Sequence, residues 1–241
     1  MARDVGLMRR ARETGESVFS IYGWTRPTLS FGRNQTAVGR YDREQILALG
    51  IDTVRRPTGG RALLHNREVT YSVTGPAAAG IELRESYERI NFILLSALFR
   101  LGVSASIAAP QARAPQPSDL PCFAAPSRGE LISDGRKLVG SAQWREADAL
   151  LQHGSILIED DQSLIPRVAL ASKATVAVPP PATLSRALGR TPMVEEVTRA
   201  LVDAVREIED PNAGSLDDSE VREYTTAELA RFENELWTWR R

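Results

Sequence analysis

Three short stretches of this 241-residue chain carry residues able to do chemistry. Pro121-Cys122-Phe123 holds its one cysteine, in a segment rich in Pro, Ala and Gln. A thiol with an ordinary pKa of about 8.5 is only a few per cent ionised at neutral pH, so a nucleophilic cysteine needs a nearby cation. Lys137 is placed to supply one. A free cysteine is more often a small buried hydrophobe and a lysine more often a solvated surface charge. Against those plainer readings stand the loop position of Cys122 and the small residues Gly140, Ser141 and Ala142 beyond Lys137, which leave backbone open to a ligand. Each of the two histidines, His65 and His153, lies within or at the end of a strand pattern, where it serves the structure or acts as a general base. The third stretch, RRPTGGRALLH (residues 55–65), interrupts strand sequence with two glycines and three arginines. Arg55, Arg56 and Arg61 are either solvated edge charges or, with Thr58, Gly59 and Gly60, part of a ligand groove.

These residues need elements to hold them. Residues 3–14 read as a helix stopped by Gly15, followed by short strands at 17–22 and 28–31. A helix over 43–49 and strands over 52–56 and 61–65 come next. In the strand over 68–74, Val69, Tyr71 and Val73 take one face while Glu68, Thr70, Ser72 and Thr74 take the other. Residues 82–101 give the longest apolar-periodic helix, expected to cross the sheet. Residues 108–126 form a long irregular loop, of the kind that is usually functional or disordered. Asp134-Gly135 is the preferred pair for a type I′ turn, so 130–133 and 136–144 should form a hairpin. Strict alternation puts Leu138, Gly140, Ala142 and Trp144 on one face and Lys137, Val139, Ser141 and Gln143 on the other. A strand over 150–158 pairs back after a turn at 146–148. Helices follow over 163–171, 193–208 and 226–236, with a Pro-rich break at 179–181. The expected fold class is α+β, one domain over 1–241 with a mixed, largely antiparallel sheet flanked by helices, 172–241 being its helical C-terminal part.

A hydrophobic content of 42% is enough for a full core. A formal net charge of −1 gives no bulk attraction for nucleic acid or a membrane surface. Apolar runs such as 92–95 are far too short to span a bilayer, and residues 1–15 lack the apolar core of a signal peptide. One cysteine excludes an intrachain disulfide and fits a reducing cytoplasm. Two histidines and one cysteine make a structural zinc site an unsuitable reading. No exposed apolar face stands out, so a monomer is expected.

Taken in order, RRPTGGRALLHNREVTYSV, CFAAPSRGELISDGRKLVGSAQ and LQHGSIL resemble the biotin/lipoate protein ligase catalytic superfamily. Within it the chain is most similar to the cysteine-dependent octanoyltransferase branch, the lipoate-protein ligase A-like octanoyltransferases. The resemblance implies the biotin/lipoyl protein ligase catalytic-domain fold, with the Gly-Gly segment lining a tunnel for a medium acyl chain and the flanking arginines expected to orient carrier phosphopantetheine or an acidic protein partner. It implies Cys122 as acyl-thioester nucleophile and Lys137 as the lysine that favours its thiolate. The pocket would be built from Arg56, Thr58, Gly59, Gly60, Arg61, His65, Gly140, Ser141, Ala142 and His153. The implied reaction moves octanoyl from acyl carrier protein to Cys122, then to a lysine of a lipoyl-type domain such as glycine cleavage H protein or a 2-oxoacid dehydrogenase E2. It needs no metal, nucleotide or other cofactor.

Three alternatives stay open: an ATP-dependent lipoate–protein ligase, an octanoyl amidotransferase between lipoyl-domain proteins, and a non-catalytic acyl-binding or scaffold protein. Ligases of the superfamily carry a third glycine where this chain has Arg61, and Gly-Asn where it has Glu68-Val69-Thr70. Two departures from the branch pattern are Arg128-Gly129, in place of an aromatic pair before Glu130, and a start at the first helix, where an N-terminal edge strand is common.

Overall fold

The computed structural model describes residues 1–77, 83–109, 121–127, 129–170 and 179–240. Helix α1 (Ala2–Thr14) ends where Gly15 takes the left-handed conformation, φ 74°, which a residue without Cβ adopts at no steric cost. Then come β1 (Val18–Tyr22), β2 (Thr28–Phe31), α2 (Arg43–Ala48), β3 (Asp52–Arg55), β4 (Leu63–His65), β5 (Glu68–Pro76) and α3 (Leu83–Arg100). After β6 (Ser106–Ile107) come the hairpin of β7 (Leu131–Ser133) and β8 (Arg136–Glu146), and β9 (Ala149–Leu157). Helices α4 (Ile165–Val168), α5 (Leu184–Leu188), α6 (Val194–Ile208), α7 (Asp218–Phe232) and α8 (Glu235–Thr238) complete the described chain.

The strands form two sheets. Six antiparallel strands run in the order β1-β5-β9-β8-β7-β6. The second sheet, β3-β2-β4, has one parallel pair, β2 with β3. The expected mixed, largely antiparallel core is therefore present, its parallel element confined to the small sheet. The Asp134-Gly135 turn has φ 49° and 69° at its two central residues, the positive pair a type I′ turn requires.

Helices α3 and α6 cover one face of the large sheet, where Val69, Tyr71, Leu94, Leu98, Val139, Ile156 and Leu201 share a core. Helix α1 packs against β5 and β9, with Met8 against Ala149 and Leu151. The polar residues of β5 lie away from water, since Thr70, Ser72 and Thr74 are all buried. A third core joins the small sheet to the C-terminal end through Leu29, Phe31, Ile46, Leu64, Ile165 and Trp239.

Several boundaries differ from the sequence reading. Over 163–171 there is only a 3-10 turn and the four-residue α4; Ala169 turns extended and pairs with Tyr41, which ends the helix, and residue 171 lies outside the described residues. The helix expected at 226–236 begins at Asp218, capped by Asp217, and is broken before Asn234, which caps α8. Helix α5, between Thr183 and Gly189, was not anticipated. An exposed apolar pair was also missed: Phe92 and Phe99, two turns apart on α3, face solvent because the core takes the Ile90, Ile93, Leu94, Ala97 and Leu98 side. No helix among the described residues is long and apolar enough to cross a membrane.

Candidate active site

Lys137 is 2% exposed and makes three polar contacts. Its Nζ lies 3.3 Å from Cys122 Sγ, 3.0 Å from the Cys122 carbonyl oxygen and 2.6 Å from Glu130 Oε1. The Phe123 ring lies under the ammonium at 4.9 Å. Cys122 is held from the other side by its own N–H, which donates to the Ala62 carbonyl at 3.0 Å. The second Glu130 oxygen accepts from the Ser127 N–H at 2.7 Å. Burial alone would push the Lys137 pKa down; the facing Cys122 and Glu130 outweigh it and hold it above the ordinary lysine value.

A β-bulge aims this lysine. In the β7–β8 ladder Ile132 opposes Lys137 but Leu131 opposes Val139, so Leu138 is an extra residue. Strict alternation, which placed Lys137 opposite in face to Gly140, fails at this point. Leu138 and Val139 enter the same core, and a Cβ on Gly140 would lie 3.0 Å from both Lys137 Cε and Phe123 Cζ. Gly140 therefore forms the floor beneath the lysine stem.

A second buried chain runs from α1 to the Gly-Gly loop. Asp4 Oδ2 lies 2.9 Å from His153 Nδ1, and His153 Nε2 lies 2.7 Å from Thr58 Oγ1. Burial is the largest influence on His153 and holds its pKa below the ordinary imidazole value. Burial would raise Asp4, yet the α-amino group at 4.0 Å and the His153 contact keep it well below the carboxylate range. An ionised Asp4 only accepts, so His153 donates from Nδ1 and receives the Thr58 hydroxyl at Nε2. His65 has its own set: Glu68 Oε1 at 2.7 Å, Ser30 Oγ at 2.8 Å and the Trp24 ring stacked at 4.3 Å.

Arg55 and Arg56 do not guard a sheet edge. Arg55, fully buried, donates to the carbonyls of Gly32, Gln35, Thr238 and Arg240 at 2.6–2.9 Å and to Trp237 at 3.1 Å. Arg56 is also buried and donates to Ser30 O and Oγ, Gly59 O and Arg61 O at 2.8–3.0 Å. This corrects the reading of Arg55 as an edge charge or a group that orients a partner: it has no exposed surface. Gly60 needs its freedom, with φ 99°, and Gly32 permits the close approach, since a Cβ there would fall 1.9 Å from Gly60 O.

The sequence profile of the lipoyl protein ligase A/B catalytic domain matches residues 1–206. The chain belongs to that family. Among curated relatives it is 46% identical to "Octanoyltransferase LipM" of Carboxydothermus hydrogenoformans over 175 residues, covering 70% of this chain and 63% of that one. It is 45% identical to "Octanoyltransferase LipM" of Kyrpidia tusciae over 171 residues, covering 67% of this chain and 62% of that one. The matched region thus spans a little over three-fifths of these relatives' length. Two solved structures share the fold. A lipoate-protein ligase A bound with ATP superposes with TM-score 0.80 at 19% identity, covering 99% of this chain and 92% of that one. A bi-partite lipoate protein ligase from Thermoplasma acidophilum gives TM-score 0.77 at 18% identity, covering 99% and 89%.

Within this lipoyl protein ligase A/B domain the structure brings Cys122, Lys137 and Gly140 together, and Thr58 and His153 likewise. Ala142 pairs with His153 across β8 and β9. Ser141 faces the opposite side of the sheet, where its Oγ lies 2.6 Å from Tyr71 OH. Gly59 and Gly60 are exposed and Arg61 half-buried, and a Cβ on Gly59 would meet nothing within 4 Å. Arg128 lies outside the described residues; beside it, a Cβ on Gly129 would lie 3.2 Å from the Tyr87 ring of α3, so an aromatic reaches this place from another element. Sequence reasoning missed Glu130 and Asp4. Glu130 had a signal, because two residues before Ile132 it is the diagonal same-face neighbour of Lys137 across the hairpin. Asp4 had none, being 149 residues from His153.

Proposed function

We propose that this domain is the catalytic part of an octanoyltransferase of lipoate assembly, working through a Cys122 thioester. The observation that carries this reading is the 3.3 Å contact between Cys122 Sγ and a buried, charged Lys137. Two curated relatives named octanoyltransferase, at 45–46% identity, support the reaction class. The Cys122 thiolate attacks the thioester carbonyl of octanoyl-acyl carrier protein; a new C–S bond forms, the old one breaks, and the carrier thiolate leaves and takes up a proton. A lysine amine of a lipoyl-type domain then attacks the octanoyl-enzyme and becomes an amide, and Cys122 departs as thiolate. Lys137 stabilises the thiolate before the first attack and the oxyanion in both. The exposed Gly59-Gly60 backbone forms a wall for the acyl chain, and the Asp4–His153–Thr58 chain holds that wall from beneath. Residues 1–241 act as one catalytic unit, in which α6 backs the large sheet and Trp239 packs into the core of the small one. The donor thioester is already activated, so the chemistry asks for no nucleotide.

The test is intact mass after mixing the protein with octanoyl-acyl carrier protein without ATP, beside Cys122→Ala. A hydroxylamine-labile octanoyl adduct on the wild type alone is the expected result. Transfer to a lipoyl domain only when ATP and free lipoate or octanoate are supplied would overturn the reading in favour of a ligase.

A further inference from the structure

Lys137 faces two acidic partners whose charges have different lifetimes. Cys122 offers a negative charge only while it is a thiolate; in an octanoyl-enzyme the same sulfur is a neutral thioester. An ammonium buried to this degree with no counter-charge tends to lose its proton. Glu130 Oε1, at 2.6 Å, is untouched by acylation, and its other oxygen is fixed by the Ser127 N–H at 2.7 Å. The remaining neighbours do not substitute for it. Tyr87 of α3 is pushed toward its neutral phenol by burial first and by Glu130 next. Arg56, on the Cys122 side, is another cation. The Phe123 face attracts the ammonium but brings no counter-charge.

We propose that Glu130 is a positioning residue for the second half of the reaction: it keeps Lys137 protonated and aimed at position 122 while the sulfur is acylated. The inference rests on the octanoyltransferase reading above. In that half, the acceptor amine attacks the thioester carbonyl, the C–N bond forms and the C–S bond breaks. Cys122 leaves as thiolate, and one proton passes from the nitrogen to solvent. The ammonium held by Glu130 donates to the developing oxyanion and then meets the released thiolate. Glu130 immediately precedes β7, whose Ile132 pairs with Lys137, and its carboxylate reaches Nζ as the third group of the site.

The half-reactions separate experimentally. Octanoyl-enzyme is formed from octanoyl-acyl carrier protein and isolated, and its transfer to an unmodified lipoyl domain is followed by mass from pH 6 to 10. The wild-type transfer step is expected to show no alkaline loss across that range. Glu130→Gln, neutral and nearly isosteric, is expected to move the alkaline limb into the assayed range and to lose transfer about tenfold for each pH unit above the lowered Lys137 titration point. Its octanoyl-enzyme formation should fall by much less, because the thiolate then supplies the missing charge. Glu130→Asp, which keeps the charge, should retain the wild-type alkaline behaviour even if both rates drop.

Equal losses in the two half-reactions of Glu130→Gln, with its alkaline limb unmoved, would overturn this inference alone and reduce Glu130 to packing. A wild-type transfer rate already collapsing between pH 8 and 9 would overturn it without any variant. Absence of an octanoyl-enzyme on the wild type would instead overturn the octanoyltransferase reading itself, and this inference with it.

Discussion

Replacing Arg55 by methionine removes a guanidinium that joins three separated pieces of chain. Its nitrogens reach the carbonyls of Gly32 and Gln35 after β2 and of Trp237, Thr238 and Arg240 at the C-terminal end, all at 3.1 Å or closer. A hydrogen bond from a charged donor contributes about 1.5–3 kcal/mol, so the gross interaction is about 7–15 kcal/mol. Burying the cation costs several kcal/mol in return. Methionine fills most of the volume but leaves five carbonyls without this donor, and the net loss should be about 3–5 kcal/mol. With an m-value of about 2 kcal/mol/M, the urea midpoint should drop by roughly 2 M. Arg55→Lys should recover little of this, because a point ammonium cannot span carbonyls on different sides. The damage should also reach the site: Gly32 abuts Gly60, and the Arg33 N–H donates to Thr58 O at 2.8 Å. A loss below about 1 kcal/mol with an unchanged m-value would refute the argument, since water would then be satisfying those carbonyls at no cost.

Two further outcomes follow from the same geometry. His153 and Asp4 both have folded pKa values below their unfolded ones, so the unfolded chain binds more protons as pH falls. For His153 the stability is fully present above about pH 6.5 and is lost below it; between pH 7.5 and 5.5 the unfolding free energy should drop by up to about 1.4 kcal/mol. His153→Gln should flatten that dependence, and an unchanged slope in urea titrations would exclude His153 as its source. Gly140→Ala puts a methyl 3.0 Å from Lys137 Cε and Phe123 Cζ, so the lysine must shift by a few tenths of an ångström. Overpacking of this kind costs about 1–3 kcal/mol, and under the proposed thioester mechanism octanoyl-enzyme formation should slow by about tenfold. A wild-type acylation rate in this variant would mean that the Lys137 position is not critical.

What the sequence determined by itself is what short windows of backbone encode. The alternation over residues 68–74 gave β5, and the left-handed preference of glycine set the end of α1 at Gly15. Asp134-Gly135 fixed the β7–β8 turn, because positive φ at both positions suits this pair. The residue blocks that marked the family were legible too, since each lies within about twenty positions along the chain. Tertiary structure decided the rest. Alternation along β8 carried no sign of the bulge at Leu138, because an extra residue is defined only by what the facing strand leaves unpaired. Arg55 and Arg56 resembled surface charges until residues 32–35 and 237–240 folded around the first, and β2 and the Gly-Gly loop around the second, and offered carbonyls in place of water. Thr58, His153 and Asp4 meet across separations of 95 and 149 residues. Buried polar groups must find partners wherever the fold brings them, and no local pattern specifies a partner that far away. The same holds for the charge on Lys137: its position in the sequence showed a lysine, but only the enclosed space shared with Cys122 and Glu130 makes its protonation depend on both.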